Sequence, residues 1–125
     1  MTPEETRNYL KSYRNMYNRV EYINNKLINV KSIRYDDSPN GSYSEPKTQN
    51  DYIMMKDKYI SQMTLIREDI EKLSNINHRD VLFYKYVELM SDYDIADLMQ
   101  YSVGSVRNFL HSGIIELSKV INSEK

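Results

Sequence analysis

The sequence predicts an all-α protein: a long antiparallel helical hairpin followed by a C-terminal three-helix domain built around a helix-turn-helix. Three observations carry this. Apolar residues recur at alternating spacings of four and three along residues 9–30 and again along residues 52–73. Residues 35–47, which hold two of the three prolines, a glycine and a cluster of Asp, Ser and Asn, separate those runs. Near the C-terminus, Ile95, Leu98 and Met99 follow helical spacing, and after a short break Val103, Val106, Leu110, Ile114 and Leu117 do so again.

The first helix is expected over residues 3–34. It opens with T-P-E-E, where Thr2 suits the N-cap, Pro3 the first helical position and Glu5 the third. Its seam is Tyr9, Tyr13, Met16, Val20, Ile23, Leu27 and Val30. Asn8, Asn15, Asn18, Asn24, Asn25 and Asn29 give it poor intrinsic propensity, so it needs a packing partner to persist. The segment 35–47 reads as a loop, with Tyr43 as a candidate contact. The second helix, residues 48–74, repeats the seam with Tyr52, Tyr59, Met63, Ile66, Ile70 and Leu73, and Lys56 fills one seam position. Matching seams on two helices joined by one loop predict the hairpin, drawn as residues 1–76. Such a hairpin leaves part of its stripe uncovered, which implies a third element or a homo-oligomer.

Residues 77–125 make the second unit. Asn75 and Asn77 are stop and cap candidates, and Asn77 followed by Asp80 resembles a capping pair. Val81, Leu82, Tyr84 or Lys85, Val87, Glu88 and Leu89 describe a short amphipathic helix ending near Met90. Ser91 and Asp92 start the next helix, and Ser102 is placed to N-cap the last. Ala96 falls where two crossing helices need a small side chain, and Val106 ten positions on is expected to be buried. The spacing suits a helix-turn-helix and equally a generic core hairpin.

Composition narrows the function classes. The 125 residues suit one domain, or two small ones sharing a core. The absence of cysteine excludes disulfides and thiolate metal sites. No apolar run approaches the roughly 18 residues of a membrane span. Net charge is −1, but residues 1–34 balance at +4 and residues 78–125 at −2. The C-terminal region therefore starts with a handicap for DNA, since phosphate neutralisation supplies much of the affinity. No Ser/His/Asp or Cys/His arrangement, metal-ligand cluster or glycine-rich phosphate loop is visible, so neither an enzyme nor a cofactor is expected.

The run DIADLMQYSVGSVRNFL resembles region four of bacterial sigma factors, in which an E-I-A-x-x-L turn precedes an S-x-x-T-V-x-x-x-L recognition helix. Residues 73–117 resemble still more closely a domain of small phage proteins of low-GC Gram-positive bacteria, the ArpU- and RinA-like late transcription regulators. Arg79, Val81, Leu82, Lys85, Tyr86 and Val87 stand on that family's first helix. Ile95, Ala96, Met99, Tyr101 and Ser102 stand on its turn, and Val106, His111, Ile115 and Leu117 on its last helix. The N-terminal half agrees in architecture alone. Gln100 replaces the common turn glycine, Ile114 replaces a small alanine, and Gly113 falls inside the last helix.

The resemblance implies a phage or prophage transcription regulator in the cytoplasm of a bacterial host cell. It would bind promoter double-stranded DNA through residues 102–112, together with RNA polymerase. Ser102, Ser105, Arg107, Asn108, His111 and Ser112 are the candidate DNA-binding residues. Arg107 suits a guanine edge or a phosphate, and Asn108 an adenine edge. Arg7, Lys11 and Arg14 share one face of the first helix and are candidate phosphate contacts, or else a solvated face. Asp92, Asp94 and Asp97 read as acids at a helix N-terminus. Two alternatives remain: a helical interaction protein that modulates RNA polymerase or another host protein without touching DNA, and a phage DNA-packaging adaptor.

Overall fold

A computed structural model describes the backbone of residues 1–32 and 48–124 and the side chains of 1–27 and 48–124; the expected loop 35–47 with Tyr43, and the seam side chain of Val30, lie outside the described residues. Every element among the described residues is helical. They are α1 (Pro3–Ser32), α2 (Gln49–Glu71), α3 (Ile76–Leu82), a π-helical turn (Phe83–Val87), α4 (Asp92–Met99) and α5 (Val103–Ser123). No helix among the described residues is long and apolar enough to cross a membrane.

α1 begins as its first residues dictate. The Thr2 hydroxyl accepts from the Glu5 N–H at 3.1 Å, and the Thr2 N–H donates to the Glu5 carboxylate at 2.8 Å. α2 uses the same device with Thr48 and Asp51. The two helices run antiparallel, because their ties pair rising numbers on one with falling numbers on the other. The Tyr9 hydroxyl donates to Asp69 at 2.6 Å, Arg67 donates to the Tyr13 hydroxyl at 3.1 Å, and Arg19 to the Tyr59 hydroxyl at 3.3 Å. Burial and the neighbouring Asp69 carboxylate push the Tyr9 hydroxyl well above the usual tyrosine range.

The seam is rotated slightly from the expected one. Thr6 and Leu10 are fully buried, and Tyr9 sits at the boundary with its hydroxyl on Asp69. Thr6 tolerates burial because its hydroxyl donates to the Thr2 carbonyl at 2.9 Å. Tyr13, Met16, Ile23, Met63, Ile66, Ile70 and Leu73 are buried as the spacing predicts. These side chains, Ile23 apart, form one cluster with Val81, Leu82, Tyr86, Ile95, Ala96, Val106, Leu110, Ile114 and Leu117. The stretches 1–76 and 77–125 therefore share a core.

Three local readings change. Asn75, not Asn77, caps α3, accepting from the N–H groups of Asn77 and His78. α2 stops at Glu71 rather than 74, where Lys72 bridges Asp69 and Glu124. The helix expected to run to about Met90 widens into the π turn and stops at Val87. Leu89 takes a left-handed φ of 59°, and the Met90 N–H reaches the Tyr84 carbonyl at 3.0 Å. Periodicity at 3.6 residues per turn cannot register that extra residue.

Ser91 caps α4, and α4 ends at Gln100 with φ 62° and ψ 41°. Ser102 then caps α5, accepting from the Ser105 N–H at 3.0 Å. Ala96 is 6% exposed and Val106 fully buried, as the crossing of α4 and α5 requires. At Gly113 the side chains of α3 pack close against the α5 backbone. A methyl there would stand 3.3 Å from both His78 Cβ and Leu82 Cγ, so its place inside a helix is set by the approach of the neighbouring one.

Candidate nucleic-acid interface

α5 buries Val106, Leu110, Gly113, Ile114 and Leu117 on one side. Helical geometry then turns Gly104, Arg107, Asn108, His111 and Ser112 outward, and all five are exposed. Asn108, His111 and Ser112 make no side-chain hydrogen bond to a described residue. Ser102 and Ser105 stand differently: the Ser102 hydroxyl accepts from the Ser105 N–H and donates to the Ser105 hydroxyl, so the pair serves the cap.

Arg107 is held. Its Nε donates to Asp92 Oδ2 at 3.2 Å, and its guanidinium lies 5.9 Å from the centre of the Tyr93 ring. The Tyr93 hydroxyl also approaches the guanidinium. Asp92 Oδ1 accepts from the Lys85 ammonium at 2.8 Å. One carboxylate at the first position of α4 thus ties the π turn to α5. Lys85 chiefly, with Arg107 second, holds the Asp92 carboxyl below the usual carboxylate range against the opposing effect of burial.

Lys85 also lines a cleft of about 350 Å³ between α1 and the π turn. Its other walls are Leu10, Lys11, Arg14, Asn15, Tyr86 and Leu89. The described residues give Lys11 and Arg14 no ion-pair partner, and both are exposed. Arg7, one turn before Lys11, is half-buried with its guanidinium beside the Tyr86 hydroxyl. Burial pushes that hydroxyl up while Arg7 pulls it back. The three candidate phosphate contacts on α1 therefore divide: Lys11 and Arg14 line the cleft, while Arg7 braces the π turn.

The tertiary structure links groups far apart in the chain. Lys11 and Arg14 share a cleft with Lys85, Lys85 shares Asp92 with Arg107, and Arg107 opens the outer stripe of α5. The result is a run of charged groups from α1 to α5, unpaired among the described residues at Lys11 and Arg14 and offset by Asp92 at Lys85 and Arg107. The other side of α4 differs: Asp97 lines an open depression with Tyr93, Gln100 and Tyr101, and Asp94 is exposed nearby in sequence. An anion is favoured at Lys11 and Arg14 and disfavoured beside Asp94 and Asp97.

Lys85, Asp92 and Tyr93 are the residues that sequence reasoning left without a site role. Asp92 reads as a helix-start acid, which it also is. Its links to Lys85 and Arg107 span 7 and 15 residues, and Lys85 itself stands inside the π turn. Opposite charges flanking the Ser91 cap are the single hint the sequence carries.

Two other features of the region are structural. His78 Nδ1 lies 2.6 Å from the Glu116 carboxylate, which also accepts from the Ser74 hydroxyl at 3.2 Å, and so α3 is fastened to α5. Among the described residues no group of three or more His, Cys, Asp or Glu is placed to hold a metal ion. Comparisons with protein-family models, curated proteins and solved structures find no match to this chain.

Proposed function

We propose that the chain is a DNA-binding transcription regulator. In this reading α4 and α5 form a helix-turn-helix, the outer stripe of α5 lies in the major groove of promoter DNA, and α1 and α2 form an antiparallel hairpin beside it. The observation that carries this is the exposed stripe of Arg107, Asn108, His111 and Ser112 on α5, together with exposed Lys11 and Arg14 at a cleft that Lys85 also lines. Phosphate contacts give affinity and register while base edges give specificity, and the surface supplies both in sequence. The resemblance of residues 73–117 to ArpU- and RinA-like phage late regulators, and to region four of sigma factors, supports a promoter target approached together with RNA polymerase.

Fluorescence anisotropy with duplexes from the neighbouring DNA, titrated across salt, tests this. Each phosphate contact adds about 0.9 to the slope of log K against log salt. Lys11 and Arg14, which have no ion-pair partner among the described residues, therefore contribute about −1.8 to the slope, and that contribution should vanish when both are changed to Ala. Absence of binding at low salt overturns the reading.

A second reading has its own observation. Tyr93, Leu98 and Tyr101 are exposed on and beside acidic α4, at 68%, 55% and 42%. Apolar tips among acids suit a basic protein partner, which favours an interaction protein that modulates RNA polymerase without touching DNA. Ile53, Met54, Ile60 and Leu65 are also exposed on α2, where they would suit a homo-oligomer through the hairpin. A ring-sized oligomer in solution would move the assignment to a DNA-packaging adaptor.

A further inference from the structure

We infer that Arg107 reads a guanine, with Asp92 and Tyr93 as the positioning residues that turn its guanidinium into a base reader rather than a phosphate clamp. The inference rests on the DNA-binding reading above and names what that surface selects.

An arginine on a groove-facing helix has two uses. As a phosphate contact it works through its full positive charge, which a neighbouring acid diminishes. As a base reader it must present two N–H groups in a fixed plane to guanine O6 and N7. The surroundings of Arg107 are wrong for the first use and right for the second. The Asp92 carboxylate lies 3.2 Å from Nε, where it offsets the charge that a phosphate would seek. Asp92 engages Nε and makes no hydrogen bond to either Nη group. Apart from the approach of the Tyr93 hydroxyl, those Nη groups have no hydrogen-bond partner among the described residues. They form the edge a bidentate guanine contact uses.

The support beneath the guanidinium is itself fixed. Asp92 is the first residue of α4, whose start is set by the Ser91 cap and whose inner face is pinned by fully buried Ile95. Its second oxygen is occupied by Lys85 at 2.8 Å, so the carboxylate cannot turn freely. Tyr93, the next residue, places its ring 5.9 Å from the guanidinium carbon. Arg107 has 58% of its side chain exposed, so the held group is also reachable. Asn108, beside it on the stripe, has no such support.

The test selects binding duplexes from a pool with a fully randomised core, using the full chain. The selected duplex is then compared with its three single-base-pair variants at each invariant G·C pair. The expected result is one invariant guanine whose replacement weakens binding about tenfold or more. Arg107→Lys keeps the charge and loses the plane, so it should bind all four duplexes within about twofold of one another. Asp92→Ala should also flatten the preference. It should bind the disfavoured duplexes as well as, or better than, the unmodified chain, because a negative charge has left the surface. Asp92→Asn, which keeps one acceptor, should fall between.

A merely structural role for Asp92 would instead weaken all duplexes in parallel. Selected duplexes without an invariant guanine overturn the inference, as does full guanine preference in Arg107→Lys. Should Asp92→Ala not fold, Arg107→Lys decides alone, since that exposed side chain carries no core contact. Failure of the unmodified chain to bind any duplex is a different result, which removes the DNA reading itself.

Discussion

Gly113→Ala should destabilise the protein, whereas Gly104→Ala in the same helix should stabilise it. The substitution adds one methyl in each case, and intrinsic helix propensity favours both by up to about 1 kcal/mol. The surroundings differ. A methyl at Gly104 meets nothing closer than the Ser102 hydroxyl at 3.9 Å. A methyl at Gly113 meets His78 Cβ at 3.3 Å, Leu82 Cγ at 3.3 Å and Leu82 Cδ1 at 3.4 Å. Carbon atoms pack best about 3.5–4.0 Å apart, so a few tenths of an ångström must be found at three contacts together. His78 Cβ is bonded to the main chain and moves only if α3 moves. That helix is held against α5 itself by the 2.6 Å contact between His78 and Glu116, which resists the two helices moving apart, and Leu82 is fully buried. Overpacking of this kind costs about 1–3 kcal/mol, which outweighs the propensity gain and leaves a net loss near 1 kcal/mol. For a chain of this length that lowers Tm by about 4 °C. Thermal melts by circular dichroism at one protein concentration measure it. If Gly113→Ala melts above the unmodified protein, as Gly104→Ala should, then α3 yields without cost and the close approach does not explain the glycine.

Three further outcomes follow from the same geometry. Gln100 sits in the left-handed region, so Gln100→Gly should raise stability by about 0.5–1 kcal/mol and Gln100→Val should lower it by a similar amount, read as shifts in denaturation midpoint. Tyr9→Phe removes the hydrogen bond to Asp69 that ties α1 to α2, and should cost about 1–2 kcal/mol by urea unfolding, with no loss if Lys72 alone satisfies that carboxylate. The Asp92 and Glu116 carboxyls are both held below their ordinary values, 3.8 and 4.5. Their contribution is present above that range and is lost as pH falls through the lower folded-state values. The melting temperature should therefore drop on acidification below about pH 4.5, and Glu116→Gln and Asp92→Asn should each make the drop shallower; unchanged curves would remove these ion pairs from the stability of the fold.

Much of the helical framework was legible because its causes are local. Thr2, Pro3 and Glu5 form a helix start wherever they stand together, and so do Ser91 and Ser102 at their own helices. The seam from Tyr52 to Leu73 needs no more than a 3.6-residue turn and something apolar to face. Errors occurred where that assumption failed. The π turn inserts a residue that a fixed period cannot represent, and so Leu89 was expected inside a helix it in fact terminates. Leu10 outranks Tyr9 in burial because a tyrosine with a partner at the rim, here Asp69, keeps its hydroxyl near water.

The outer stripe of α5 was likewise readable, since Arg107, Asn108, His111 and Ser112 oppose an apolar face whose period is plain. What surrounds that stripe was not. From the sequence alone come an all-helical chain, its caps, the apolar faces that must be covered and the residues left outward on α5. Only the tertiary structure places Lys11 and Arg14 in a cleft with Lys85, and Asp92 between Lys85 and Arg107. The reason is physical: caps and periodic faces act within a turn or two of helix. An ion pair between separate elements depends instead on how three helices and a π turn pack, and no spacing rule along the chain encodes that distance.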